Sequence, residues 1–229
     1  MSRVRIKICG VTRPEDALAC ARAGADMIGL NFYPNTPRHV KESEAQAIVA
    51  DLDSLPDNRR PLLIGVFVDE TPERIGKILE GLGLDGVQFS GDEPPGLLDA
   101  FDGLAYLALR PRDPTHLSEL LHGMREHRSP RANLPGALLD AHHAKMYGGT
   151  GETVGEDLIV MAQSALPRLM LAGGLRPDNV GAKVRTFHPW GVDVASGVEG
   201  ETPGIKDSKK ISEFIASVRG AEGSDGIAP

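Results

Sequence analysis

Eight short apolar runs alternate with eight helical patterns along this chain, and that alternation constrains its fold more than any other feature. The first run is Arg3-Val4-Arg5-Ile6-Lys7-Ile8-Cys9. Period-two alternation points Val4, Ile6 and Ile8 one way and Arg5, Lys7 and Cys9 the other. The later runs span 26–32, 62–68, 86–89, 104–109, 137–140, 168–172 and 191–195. Between them lie helical patterns. Thr12-Arg13-Pro14-Glu15 reads as a capping box with proline in the first turn, and Gly24 as a stop. Further helices are expected over 42–52, from Thr71-Pro72-Glu73 to near Gly81, then over 94–101, 113–126, 156–164, 177–185 and 208–219. Strands alternating with helices imply parallel strands joined by crossovers. An open doubly wound sheet and a closed barrel both satisfy that pattern. No Gly-x-Gly-x-x-Gly follows the first strand, and glycine-rich turns follow strands seven and eight instead, where barrels often hold phosphate. The reading is a single α/β domain over 1–219, a (β/α)8 TIM barrel. The polar, glycine-rich stretch 220–229 is expected to be a disordered tail.

The 229 residues suffice for such a barrel, which needs about 200 or more. A net charge of −7 without a basic block leaves no nucleic-acid footprint. An anionic ligand would need local positive groups against that background. No apolar run approaches the roughly 20 residues of a membrane helix. Met1-Ser2-Arg3-Val4 lacks the apolar region of a signal peptide. Cys9 and Cys20 form no disulfide framework and suit a reducing cytoplasm. His142 and His143 are adjacent, so their side chains diverge, and no metal site is expected.

Active groups of a barrel lie at the carboxyl ends of its strands. Strand one ends at Cys9 and strand six at Asp140, while Arg38 lies in the loop after strand two. A free cysteine is usually a small buried hydrophobe. Cys9 differs by following Lys7 on the polar face, where an ammonium lowers a thiol's pKa and yields thiolate near neutral pH. Cys20, mid-helix among alanines, reads as packing. An aspartate at a strand end often caps a turn. In a partly apolar mouth the same carboxyl can hold a proton and donate it. Asp193 shares the inward phase of Lys7 on the neighbouring strand of a closed barrel, which suggests an ion pair. A loop arginine such as Arg38 is most often solvated, but at a barrel mouth it can fork onto a carboxylate. Gly173-Gly174 and Ser196-Gly197 bring backbone N–H groups close to an anion.

These pieces resemble the phosphoribosylanthranilate isomerase family of tryptophan biosynthesis. The resemblance rests on Lys7-Ile8-Cys9-Gly10-Val11-Thr12, Gly24-Ala25-Asp26, Pro37-Arg38, Gly65-Val66-Phe67-Val68 and Leu138-Leu139-Asp140. It continues with Gly148-Gly149-Thr150-Gly151, Ala172-Gly173-Gly174-Leu175 and Ser196-Gly197-Val198-Glu199. It implies an Amadori rearrangement of N-(5-phosphoribosyl)anthranilate without cofactor or metal. By resemblance, Asp140 is the general acid that protonates the ribose ring oxygen. Cys9, as thiolate, is the general base that removes the proton from sugar C2. Arg38 holds the anthranilate carboxylate, and Lys7 belongs to the substrate-binding set. Gly173, Gly174, Ser196 and Gly197 bind phosphate, and Gly149 and Gly151 sit in a loop that closes over the site. The partner implied is a small phosphorylated substrate, with no nucleic acid and no membrane, in a monomer or homodimer.

The chain departs from the family pattern twice. Phe89-Ser90-Gly91 stands where Leu-His-Gly is usual, which removes an imidazole from the rim. Val154-Gly155-Glu156-Asp157-Leu158 replaces a Phe-Asp-Trp continuation. Another sugar-phosphate barrel enzyme, or a non-catalytic barrel binding a phosphorylated ligand or partner protein, are the competing readings. The histidine-pathway isomerase uses two aspartates where this chain has Cys9 and Asp140. A binding barrel would keep the glycine turns and be indifferent to both.

Overall fold

Eight parallel strands close on themselves in sequential order, each hydrogen-bonded to the next and β8 to β1. The computed structural model describes residues 3–56, 59–127, 129–140 and 155–222. The strands are β1 (Arg5–Cys9), β2 (Met27–Asn31), β3 (Leu62–Phe67), β4 (Gly86–Phe89), β5 (Ala105–Leu109), β6 (Ala137–Leu139), β7 (Leu169–Leu171) and β8 (Gly191–Val194). The helices are α1 (Pro14–Ala23), α2 (Glu42–Asp53), α3 (Pro72–Leu82), α4 (Pro114–Met124), α5 (Glu156–Ala165), α6 (Val180–Phe187) and α7 (Ser208–Glu222). The architecture is the expected (β/α)8 barrel.

Strand periodicity separates two cores. Ile6, Ile8, Ile28 and Leu30 pack outward under the helices, against Ala17, Ile48 and Phe214 among others. Met27, Ile64, Tyr106, Leu138 and Met170 fill the barrel interior. Each fully buried Ile or Leu contributes about 1.5–3 kcal/mol of apolar transfer energy. The polar face of β1 therefore does not meet water: Lys7 is 0% and Cys9 8% exposed, and only Arg5 at the entry end is open.

Several local expectations change. The connection between β4 and β5 is a 3-10 helix (Pro95–Phe101), so among the described residues the crossovers between successive strands carry six α-helices and this one tighter helix, and α7 follows β8. Thr12 does not cap α1. Pro14 is the first helical residue, which makes Arg13 the N-cap, and the Thr12 hydroxyl donates to the Gly204 carbonyl at 2.8 Å instead. In α3 the proline directly follows the threonine, and Thr71 does accept from the Arg74 N–H. Helix α6 begins at Val180 rather than Pro177, because Asn179 ties the preceding turn to the Gly174 carbonyl. Helix α7 runs three residues past Arg219. Ala221 packs into the core, and the Glu222 carboxylate accepts from the Val4 N–H, so Gly220 to Glu222 belong to the barrel rather than to a tail.

Candidate functional site

The carboxyl ends of the strands surround one cleft, lined by Cys9, Arg38, Ser90, Arg110, Asp140 and Asp193 together with apolar neighbours. Cys9, Arg38 and Asp140 thus meet from β1, the loop after β2 and the end of β6. Asp140 follows the last residue of β6, and its N–H still donates to the Leu109 carbonyl at 2.9 Å. Gly149 and Gly151 lie outside the described residues, as do His142 and His143.

Lys7 and Asp193 are register partners on β1 and β8, with Nζ 2.9 Å from Oδ1. Burial works against the Lys7 ammonium, but the charges of Asp193, Cys9 and Tyr106 outweigh it and hold Lys7 protonated well above its usual range. For Cys9, burial pushes the thiol up, the Lys7 cation pulls it down through charge and a hydrogen bond, and Asp193 pushes it up again. Burial wins, and the net direction is upward. The expectation of a thiolate near neutral pH from Lys7 alone therefore fails in the resting site, because Lys7 is shared with Asp193 and the thiol is shielded from water. Gly29 stands opposite Cys9 in the β1–β2 register. A Cβ there would lie 2.8 Å from Cys9 Sγ and 3.2 Å from Lys7 Nζ, so the thiol and ammonium occupy the space a side chain would take.

Arg38 is held rather than solvated. Its Nε and Nη2 fork onto Glu199 Oε1 and Oε2 at 2.7 and 2.9 Å, and Lys206 Nζ meets the same carboxylate at 3.0 Å. The sequence anticipated a forked arginine, but the fork is filled from within by a residue of the β8 loop. Burial pushes the Glu199 carboxyl up, yet Arg38 and Lys206 outweigh it and hold it below its usual range. For Lys206, burial dominates over Glu199 and lowers the ammonium pKa. The loops interlock through missing side chains. Gly10, at φ 69°, lets Arg38 lie across it: a Cβ would fall 2.6 Å from Arg38 Cδ. Gly204, at φ 86°, sits against the Pro37 carbonyl.

The two late turns also meet. Gly173 and Gly174 have φ of 85° and 59°, a conformation glycine adopts at little cost. Gly197 packs so closely on the Leu175 carbonyl that no Cβ fits. Ser196–Val198 is a single 3-10 turn rather than an open glycine loop. Sequence reasoning did not single out Arg110, which directly follows β5. Continuing the inward phase of Tyr106 and Ala108 by one step would have put it at the mouth.

A closed parallel barrel whose strand ends gather a thiol, a carboxyl and two arginines is a (β/α)8-barrel enzyme scaffold. Comparison with known proteins narrows the class. The family model for N-(5'-phosphoribosyl)anthranilate isomerase matches residues 6–217. The N-(5'-phosphoribosyl)anthranilate isomerase of Geobacter sulfurreducens is 40% identical over 217 residues, covering 95% of this chain and 99% of that one. The crystal structure of phosphoribosyl anthranilate isomerase from Thermotoga maritima superposes with a TM-score of 0.81 at 34% identity, covering 95% of this chain and 99% of that one. A phosphoribosyl anthranilate isomerase in complex with reduced 1-(o-carboxyphenylamino)-1-deoxyribulose 5-phosphate has a TM-score of 0.77 at 33% identity, with 95% and 99% coverage. The chain belongs to the N-(5'-phosphoribosyl)anthranilate isomerase family.

Proposed function

We propose that this chain converts N-(5-phosphoribosyl)anthranilate to 1-(2-carboxyphenylamino)-1-deoxyribulose 5-phosphate in tryptophan biosynthesis. The observation that carries the reading is the convergence of Cys9, Asp140 and Arg38 on one cleft in a chain of this family. Asp140 donates its proton to the ribose ring oxygen as the C1–O bond breaks, and the anthranilate nitrogen lone pair forms the C1=N bond. The resulting cationic Schiff base acidifies the C2 proton. Cys9 takes that proton, and the C2–H electrons form the enolamine, which tautomerises to the ketone. Only the thiolate form of Cys9, its own proton first released to solvent, can accept the C2 proton, and burial keeps that fraction small. The iminium charge formed in the first step adds to the Lys7 and Lys206 cations in stabilising the thiolate.

The turns at Gly173-Gly174 and Ser196-Gly197 supply backbone donors for the phosphate. Lys7 acts through Cys9. Arg38 offers its remaining Nη1 edge to the ring carboxylate. Gly149 and Gly151 belong to the covering loop of this scheme. The enzyme works in the cytoplasm as a monomer or homodimer on a small phosphorylated substrate. No helix among the described residues is long and apolar enough to cross a membrane.

The test follows the fluorescence lost as purified protein consumes phosphoribosylanthranilate. Cys9→Ser and Asp140→Asn should each lower turnover by at least ~10², the scale of a lost general base or acid. Full activity in both variants would sink the assignment.

A further inference from the structure

We infer that the opposite end of the barrel, where β1 to β3 begin, holds a second anion site, one that takes a phosphate dianion. A cavity of about 540 Å³ opens there. Small-molecule sites commonly enclose about 300–1,000 Å³. Its lining brings together Arg3, Arg5, Arg22, Arg59 and Arg60, with Asp26 as the one carboxylate. Arg5 opens β1, Asp26 precedes β2 and Arg60 leads into β3, so this face lies away from Cys9 and Asp140 at the strand ends. The chain as a whole carries a net charge of −7, so five guanidinia in one cavity are not its background.

The entry face of a barrel ordinarily serves stability, and several of these cations do so. Asp26 accepts from the Ile6 N–H at 2.9 Å and lies 3.5 Å from Arg3, 3.2 Å from Arg5 and 3.1 Å from Arg219. Arg60 spans Asp53 and Asp85 at 2.8 and 2.9 Å, and Arg219 also meets Glu222 at 2.9 Å. Six guanidinia therefore share four carboxylates. The surplus falls on Arg22 and Arg59, which line the cavity and meet no carboxylate among the described residues. A cation in the last turn of α1 complements the helix dipole, which accounts for Arg22 but not for Arg59 in the linker before β3.

That surplus selects the ligand. A phosphate monoester carries about −1.5 to −2 at neutral pH and balances two guanidinia. A carboxylate or a chloride ion balances one. Every cation in the lining is an arginine, whose planar fork pairs with two phosphate oxygens at once. The backbone beneath the two surplus charges is held in place. Arg22 belongs to α1, and the Arg59 N–H donates to the Pro56 carbonyl at 2.8 Å, while both side chains are exposed and open to an arriving anion. Free phosphate and the phosphoryl group of a small metabolite share this chemistry.

The test is isothermal titration calorimetry with inorganic phosphate and with glycerol 3-phosphate, at constant ionic strength set by chloride. It compares the wild-type chain with Arg22→Gln, Arg59→Gln, the double glutamine variant and the matching double lysine variant. Each single glutamine should weaken binding at this site at least ~10-fold, as for one lost charge-assisted pair. The double glutamine variant should lose the site, and the double lysine variant should recover part of it. Phosphate taken up by the glycine turns after β7 and β8 is common to all the chains and cancels in the comparison. Circular dichroism and isomerase turnover should not change, since neither arginine lies at the catalytic mouth. Tighter binding of glycerol 3-phosphate would assign the site to a metabolite, and tighter binding of inorganic phosphate to the free ion. Titrations that are the same for the wild-type chain and the double glutamine variant with both probes overturn the inference and leave the isomerase reading untouched.

Discussion

Lys7 and Asp193 face each other across the seam that closes the barrel, 2.9 Å apart, the lysine wholly buried and the aspartate nearly so. The members of a pair this deep have exchanged water for each other, with Cys9 as a further hydrogen-bond partner of Lys7. Removing one member strands the other, at a cost of about 3–5 kcal/mol. Asp193→Asn should therefore lower stability by about that much in urea titrations. Replacing both, as Lys7→Met with Asp193→Leu, should recover most of the loss, because similar-sized apolar groups fill the same space without an orphaned charge. A single variant as stable as wild type would mean that Lys7 finds another partner.

The same pair governs the thiol. Burial raises the Cys9 pKa, and the Lys7 cation only partly offsets it. Below a pKa, the thiolate fraction grows tenfold per pH unit. Alkylation of Cys9 by iodoacetamide, and kcat/KM for the isomerisation, should both climb through neutral pH and level off only above a thiol's ordinary range. Lys7→Met removes the one neighbour that lowers the pKa most, so the rise should shift to still higher pH. A plateau already reached at pH 7 in the wild-type chain would contradict the burial argument.

How much of this was legible in the sequence follows from which interactions periodicity reaches. The Lys7–Asp193 pair was readable, because strand phase and barrel closure together place both side chains inward. The Arg38–Glu199 fork was not. Its residues are 161 positions apart on two loops, and no periodic pattern links loops. The direction of the Cys9 shift was also out of reach, since it depends on how completely the mouth excludes water. Thr12 was misread because a capping-box pattern does not say whether proline or threonine sets the helix start. Arg110 was missed although β5 was ended correctly at Leu109, because the inward phase of the strand carries on into the first loop residue.

Cys20 gives a pH dependence of stability with a definite sign. It is fully buried in α1, and burial pushes its thiol up to about 12. In the unfolded chain the thiol titrates near ~8.5. Between those values the folded state keeps a proton that the unfolded state has released. This contribution is fully present below about pH 8.5 and falls by about 1.4 kcal/mol per unit as pH rises toward 12. Cys20→Ala should be less stable than wild type at pH 7, by about 1 kcal/mol for the vacated volume. That gap should close by about 1 kcal/mol between pH 9 and pH 10 in urea midpoints. A gap constant with pH would show that the thiol ionises without unfolding.

Gly29 is the sharpest steric probe of the site. Its place on β2 opposite Cys9 needs no unusual backbone, since its φ is not among the positive ones. What it lacks is room. A methyl group there would meet Cys9 Sγ at 2.8 Å, the Cys9 backbone Cα at 3.1 Å and Lys7 Nζ at 3.2 Å. The Cα cannot yield without disturbing the β1–β2 ladder, so the thiol and ammonium must move. Overpacking of this kind costs about 1–3 kcal/mol, which a barrel of this size can lose and remain folded. Displacement of the thiol is less tolerable, because misplacement of about 1 Å in a reacting group can cost ~10² in rate. Gly29→Ala should therefore retain native circular dichroism with a modestly lowered urea midpoint, while kcat falls at least ~10-fold. The Cys9 alkylation profile should shift as the Lys7 contact changes. Unchanged kcat and an unchanged profile would mean that Cys9 and Lys7 tolerate displacement, and that their spacing is not what the reaction depends on.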